Sequence, residues 1–393
     1  MVTCDVLIVG GGPAGSSCAW KLRAAGLDVL ILDKKPFPRD KTCAGWITPP
    51  VIDALKIDRD DYPHGRVLEP ITAFATGLIG GADIVTHYDQ PISYGIRRCE
   101  FDDYLLHRTS AKLRLGEPLK SMERRRNQWI VNGEVATPVV VGAGGHFCPV
   151  ARWLDANSLP SDLSRKGRDG SGRSNGRGAN PEAAVAAQEV EFEMNADQLR
   201  HCAVPSGVIY LHFCPDLRGY GWYYRKGNFL NLGLGREDHQ NLGKHVAEYC
   251  DLLQRQGRIP GDMPRQFHGH AYLLYSHSPR PLIDDGVLLI GDAAGLAYSP
   301  SGEGIRPAVE SGLLAAETIQ GAGGKYHRAD LERYARAMTA RFGSRAAWSI
   351  SDLLPLPLKR LIAGPLLTSR WFARHVVVDR WFLHRRDPPL SCT

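Results

Sequence analysis

Val6-Leu7-Ile8-Val9-Gly10-Gly11-Gly12-Pro13-Ala14-Gly15 decides the fold. Its first four residues form a wholly apolar run, the mark of a strand buried on both faces. Residues 10–15 satisfy G-x-G-x-x-G, and a helix is predicted from Ala14 to Ala25, with Gly26 as its stop. Val29-Leu30-Ile31-Leu32 is a second buried strand, closed by Asp33. Strand, turn, helix and strand make a βαβ unit that opens a parallel sheet. Gly10 permits the tight turn, Gly12 lets the backbone approach a pyrophosphate, and Gly15 lets the helix pack on the strand. Pro13 and Ala14 begin a helix whose N-terminus offers free N–H groups to phosphates. Asp33 can accept hydrogen bonds from a ribose, with Lys34 beside it as a further cofactor contact.

Outward from this unit, Asp102 to Leu113 has helical spacing and Val139-Val140-Val141 reads as another buried strand. Residues 155–180 carry almost no apolar side chains and read as a flexible insertion. Alternating patterns at Val190–Met194, Val208–Phe213 and Leu230–Leu234 predict an antiparallel sheet. Val287-Leu288-Leu289-Ile290 returns to the buried parallel type, and helices are predicted over 305–319 and 330–342. The class is therefore α/β (α+β overall). A discontinuous Rossmann-type nucleotide-binding domain is expected at 1–64, 98–154 and 271–325. A substrate domain is expected at 65–97 and 181–270, and a C-terminal helical region at 326–393.

The first glycine motif does not separate NAD from FAD. A second site does so: Gly291-Asp292-Ala293-Ala294-Gly295 follows Ile290, and Pro300-Ser301-Gly302-Glu303-Gly304-Ile305 then opens a helix. Here the chain resembles FAD-containing oxidoreductases of the p-hydroxybenzoate hydroxylase fold. The resemblance implies that Gly291 and Asp292 hold the ribityl chain and that the helix after Gly302, Gly304 and Ile305 points at the flavin pyrimidine. A helix dipole favours the negative charge of reduced flavin there. Arg97-Arg98-Cys99-Glu100-Phe101-Asp102 is similar to an element whose arginine, here Arg98, contacts the cofactor.

Within that fold, three segments resemble the geranylgeranyl reductase branch. They are Pro38-Arg39-Asp40-Lys41-Thr42-Cys43-Ala44-Gly45, Ser301–Ile305 with Glu310-Ser311-Gly312, and Tyr220-Gly221-Trp222-Tyr223-Tyr224. By this resemblance Lys41, Cys43 and Ala44 contact FAD, and Cys43, Tyr220, Trp222 and Tyr224 are candidate catalytic residues. Tyr220, Trp222 and Tyr224 alternate and share one strand face; they line an apolar cavity or belong to the core. Cys43 lies near the flavin or is a buried inert thiol. The implied activity is saturation of isoprenoid C=C bonds by hydride from reduced flavin, with NAD(P)H or another reductant as donor. The rivals are a flavin monooxygenase or halogenase on the same fold, and a flavin-bearing binding or electron-carrier protein.

The chain of 393 residues is 43% hydrophobic and 23% charged, an ordinary globular composition. No apolar run reaches the ~18 residues of a spanning helix, and the start lacks the signature of a signal peptide. Nine cysteines are too few for a disulfide scaffold and read as reduced thiols in the cytoplasm. His268-Gly269-His270 reads as a loop pair, and no metal site is expected. The net charge of +6 is concentrated in 161–180 and 356–393. Basic charge in a loop and a tail fits an anionic membrane surface better than nucleic acid. The tail interleaves Leu366, Leu367, Trp371, Phe372, Trp381 and Phe382 with arginines. It reads as a peripheral membrane helix or as a cap over the second domain.

Overall fold

The computed structural model describes residues 1–157, 184–238, 240–278, 280–345, 365–388 and 390. From residue 158 onward the insertion expected at 155–180 lies outside the described residues. So does the part of the basic tail from 356 to 364.

The quoted stretch folds as read. Val6–Val9 is the centre of a sheet with Val139–Gly142 on one side and Val29–Asp33 on the other, all parallel. Every residue of Val6–Val9 is buried, because the sheet is covered on both faces. Val287–Leu289 extends the sheet beyond Val139–Gly142, and Lys112–Leu115 extends it beyond Val29–Asp33. The last strand falls partly where sequence spacing suggested helix. The helix there is Arg98–His107, and the chain turns at Ser110, whose φ is 54°.

The first helix, Pro13–Ala24, packs along Ile305–Gly321. A side chain at Gly312 would run into the Ala14 carbonyl and lie 3.2 Å from the Cys18 nitrogen. Glycine there lets the two helices touch backbone to backbone, which brings both glycine motifs to one end of the sheet.

The second sheet has seven strands among the described residues, in the order 268–273, 184–193, 229–236, 219–226, 208–213, 73–78 and 84–87. It is antiparallel as expected, except that Val208–Phe213 pairs in parallel with Ala73–Leu78. His268–Leu273 belongs to this sheet, so the substrate-domain pairing runs a few residues past the expected limit at 270.

The tail forms a short helix, Arg370–Phe372, continuing into a π-helical stretch, Ala373–Phe382. Val377, Val378, Phe382 and Leu383 are buried against Trp46, Phe74, Trp222 and Tyr224. The apolar side therefore faces inward, while Leu366 and Trp371 stay exposed. No helix among the described residues is long and apolar enough to cross a membrane.

Candidate active site

A cavity of about 730 Å³ runs from the first glycine turn to the seven-stranded sheet. At one end Gly10, Gly12, Pro13, Ala14, Asp33 and Lys34 line it. Gly10 has a φ of 118°, which favours glycine. A side chain on Gly12 would meet only an Arg39 guanidinium nitrogen, 3.5 Å away, so its backbone is open to the cavity. Gly15 is not on the lining. A side chain there would strike the Gly10 carbonyl, so it serves helix packing. Asp33 accepts the backbone N–H of Gly11 at 2.8 Å through one carboxylate oxygen and that of Lys35 at 2.9 Å through the other. The carboxylate holds the glycine turn and still borders the cavity.

In the middle, Lys41, Cys43, Ala44, Arg98, Asp292 and His270 converge. Gly291, with a φ of 58°, lies behind Asp292 and packs on Ala14 and Ala308. Arg98 makes a two-pronged pair with Asp102 at 2.8 Å for each bond. Despite burial, Asp102 and the Cys43 sulfur hold this guanidinium fully charged. His270 sits between Lys41 and Asp292. The Lys41 ammonium is 2.9 and 2.8 Å from the two ring nitrogens, and Nε2 is 3.3 Å from an Asp292 oxygen. Burial lowers Lys41 to about 8 and also lowers His270. Burial opposes ionisation of Asp292, yet the His270 hydrogen bond and Lys41 charge hold its carboxyl well below the usual range. An ionised Asp292 favours the tautomer that carries its proton on Nε2, which leaves Nδ1 as the acceptor for Lys41.

His268–Leu273 is a strand rather than a loop, so His270 and Tyr272 share the face that lines the cavity. His270 went unrecognised in the sequence because its partners are 229 and 22 positions away.

At the far end the wall is Trp46, Ala187, Tyr220, Trp222, Tyr272 and Ala297. Gly302, Glu303, Gly304 and Ile305 close it from the helix side. The Tyr220 hydroxyl donates to the Ser301 carbonyl, tying the sheet to that turn. Trp222 donates its indole N–H to Asn231 at 2.8 Å. Tyr224 is not on the lining. Its hydroxyl lies 2.7 Å from the carbonyls of both Ala44 and Gly45, bracing the Cys43 loop from behind. One face of the strand thus provides both cavity wall and core.

The residues fit FAD. One end offers an unobstructed glycine turn at a helix N-terminus, and the other offers room beside a second helix N-terminus, with Arg98 and Lys41 between them.

The sequence model for FAD dependent oxidoreductases matches residues 5–86. Geranylgeranyl diphosphate reductase of Rhodobacter capsulatus is 30% identical over 332 residues, 80% of this chain and 74% of that protein. The chain belongs to the geranylgeranyl reductase family. It is an FAD-dependent oxidoreductase. Another relative, menaquinone reductase of Mycobacterium tuberculosis, is 28% identical over 80% of this chain and 76% of its own length. In fold the chain resembles a geranylgeranyl bacteriochlorophyll reductase-like protein of Thermoplasma acidophilum. That match has a TM-score of 0.70 and 19% identity, and it covers 93% of this chain and 88% of the other. A flavin-dependent brominase matches with a TM-score of 0.69 and 17% identity, over 100% of this chain and 95% of its own. The family and the brominase thus share one scaffold.

Proposed function

We propose that this enzyme saturates C=C bonds of an isoprenoid chain. The observation that carries the reading is the cavity, polar at its glycine-turn end and walled by Trp46, Tyr220 and Trp222 at the other. An apolar wall continuous with a dinucleotide cradle suits a long hydrocarbon held beside a redox cofactor. The relatives whose names specify geranylgeranyl diphosphate and menaquinone support the same substrate class. When bound, FAD supplies the two electrons as hydride, and NAD(P)H or another reductant reloads it.

Gly10, Gly12, Pro13, Ala14 and Asp33 would hold the pyrophosphate and ribose, while Lys41, Arg98 and Asp292 would hold the ribityl and ring region. The aromatic wall positions the alkene and excludes water, converting an encounter into an oriented contact. Cys43 borders both regions. Outside the cavity, exposed Leu366 and Trp371 near Arg370 and Arg374 would meet an anionic membrane surface, which vesicle sedimentation at low and high salt tests.

The deciding experiment uses dithionite-reduced enzyme without oxygen. A prenyl chain should gain two hydrogens and take up deuterium from heavy water, and Trp222→Phe should slow this more than it lowers flavin content. Turnover that requires O2 and leaves oxygen or halogen in the product would sink the reading in favour of the monooxygenase or halogenase alternative.

A further inference from the structure

We propose that Glu303 delivers the proton consumed when the alkene is reduced, and that the His384–Asp387 pair resupplies it from solvent. This rests on the reductase reading above.

Glu303 lies on the cavity wall, in the turn before Ile305–Gly321. One carboxylate oxygen accepts the Arg306 backbone N–H at 2.7 Å. The other, Oε2, is buried and has no hydrogen-bond partner among the described residues. Nε2 of His384 is also buried without a partner among the described residues, and its Nδ1 lies 3.4 Å from an Asp387 oxygen. The Asp387 side chain is 36% exposed, so this end of the row reaches water.

The His384 ring stacks on Tyr298, with centroids 3.6 Å apart, and among the described residues the Tyr298 hydroxyl likewise has no partner. Among the described residues the Nε of Arg306 is unpaired as well, and four such buried atoms on neighbouring residues require an explanation. The charge of His384 acts on the Glu303 carboxyl, so the two side chains are neighbours, and a water between them would link the imidazole to Glu303.

The segment bearing His384 is fixed in place. Arg306 is 1% exposed, and its guanidinium reaches the carbonyls of His384 at 3.2 Å and Pro388 at 3.4 Å. Among the described residues the charged and titratable groups around Glu303 are Arg306 and His384, with Tyr298 and Tyr220 beyond. Burial raises the Glu303 carboxyl against the backbone N–H groups of Arg306 and Ile305 and the charges of His384 and Arg306, which favours a protonated acid.

The atoms balance. Reducing the bond adds a hydride at one carbon, drawn from reduced flavin that ends oxidised, and a proton at the other. The O–H bond of Glu303 breaks as the second C–H bond forms. The carboxylate then takes a proton from His384, which is recharged from water at Asp387.

Glu303→Gln tests this, since its amide oxygen can still accept the Arg306 N–H. His384→Asn is the second variant, because asparagine tolerates the φ of 48° at that position. The readouts are anaerobic single-turnover oxidation of the reduced enzyme by a prenyl substrate, its pH profile and solvent isotope effect, and the infrared absorption of the protonated carboxyl. E303Q should slow the step about 100-fold, keep its FAD, and lose one carboxyl band. H384N should slow it less, shift that band, and recover with added imidazole. Wild-type rate, pH profile and isotope effect in E303Q would overturn the proposal, as would a uniform loss at every pH with an unchanged isotope effect. If the wild type reduces no isoprenoid alkene, the functional reading falls and proton delivery to an alkene falls with it. The infrared band is read separately: its loss in E303Q and shift in H384N show a protonated Glu303 coupled to His384, and its absence from the wild type overturns the proposal whatever the substrate.

Discussion

The backbone N–H of Cys43 donates to a carboxylate oxygen of Glu189 at 2.5 Å, joining residues 146 positions apart. Glu189 is 5% exposed, and burial pushes its carboxyl from 4.5 up to about 7. The folded protein therefore keeps this proton where the unfolded chain has lost it. Its contribution to stability is full below pH 4.5 and declines as pH rises to about 7. The loss has an upper limit of roughly 3 kcal/mol. Glu189→Gln preserves an acceptor for Cys43 and should flatten the dependence. Urea midpoints measured from pH 4.5 to 8 check this, and a slope equal to that of wild type would refute it.

Gly12 and Gly15 should separate cofactor binding from folding. Gly12 has an ordinary φ of −72° and open space around it. Gly12→Val should cost under about 1 kcal/mol yet abolish bound flavin. Gly15→Ala drives a methyl into the Gly10 carbonyl and should unfold the turn itself. Thermal melts paired with flavin absorbance after denaturation distinguish the two. A Gly12→Val protein that purifies yellow would refute the first expectation.

Two aromatic side chains of the tail should behave oppositely. Phe382 is fully buried, with its ring 5.2 Å from Tyr220 and 6.2 Å from Trp46. Phe382→Ala should cost about 3–5 kcal/mol and loosen the aromatic wall. Trp371 is 65% exposed, and its replacement by alanine should change stability by no more than about 0.5 kcal/mol. Equal effects on the denaturation midpoint would show that the tail is not a cap.

Tyr220→Phe removes the hydrogen bond to the Ser301 carbonyl while leaving the ring in the wall. It should retain FAD but slow alkene reduction, because the turn carrying Glu303 loses its tie to the sheet. Stopped-flow oxidation of reduced enzyme, compared with flavin content, is the check. Parallel loss of both would assign Tyr220 to cofactor binding alone.

The glycine turn was legible because its determinants are local: apolar runs, three glycines and Asp33 within 28 residues of one another. Lys41, Cys43, Arg98 and Asp292 were expected at the cofactor by resemblance alone, and they line one cavity. Glu189 and His270 were not legible, since their partners Cys43, Lys41 and Asp292 come from distant segments that meet them only in the folded chain. The parallel pairing of Val208–Phe213 with Ala73–Leu78 also escaped, because alternation reports which face a residue takes and not which neighbour its strand chooses. For the tail, composition left the direction of the apolar side open, and the aromatic sheet decided it.

Trp46 and Trp222 stand in the wall of the cavity itself. A flavin ring absorbs light at the wavelengths where tryptophan emits, so these indoles give the protein its own optical gauge. Emission should dim as the cavity fills and brighten as it empties. Loading could then be followed in real time on unlabelled protein, with Trp222→Phe removing part of the signal.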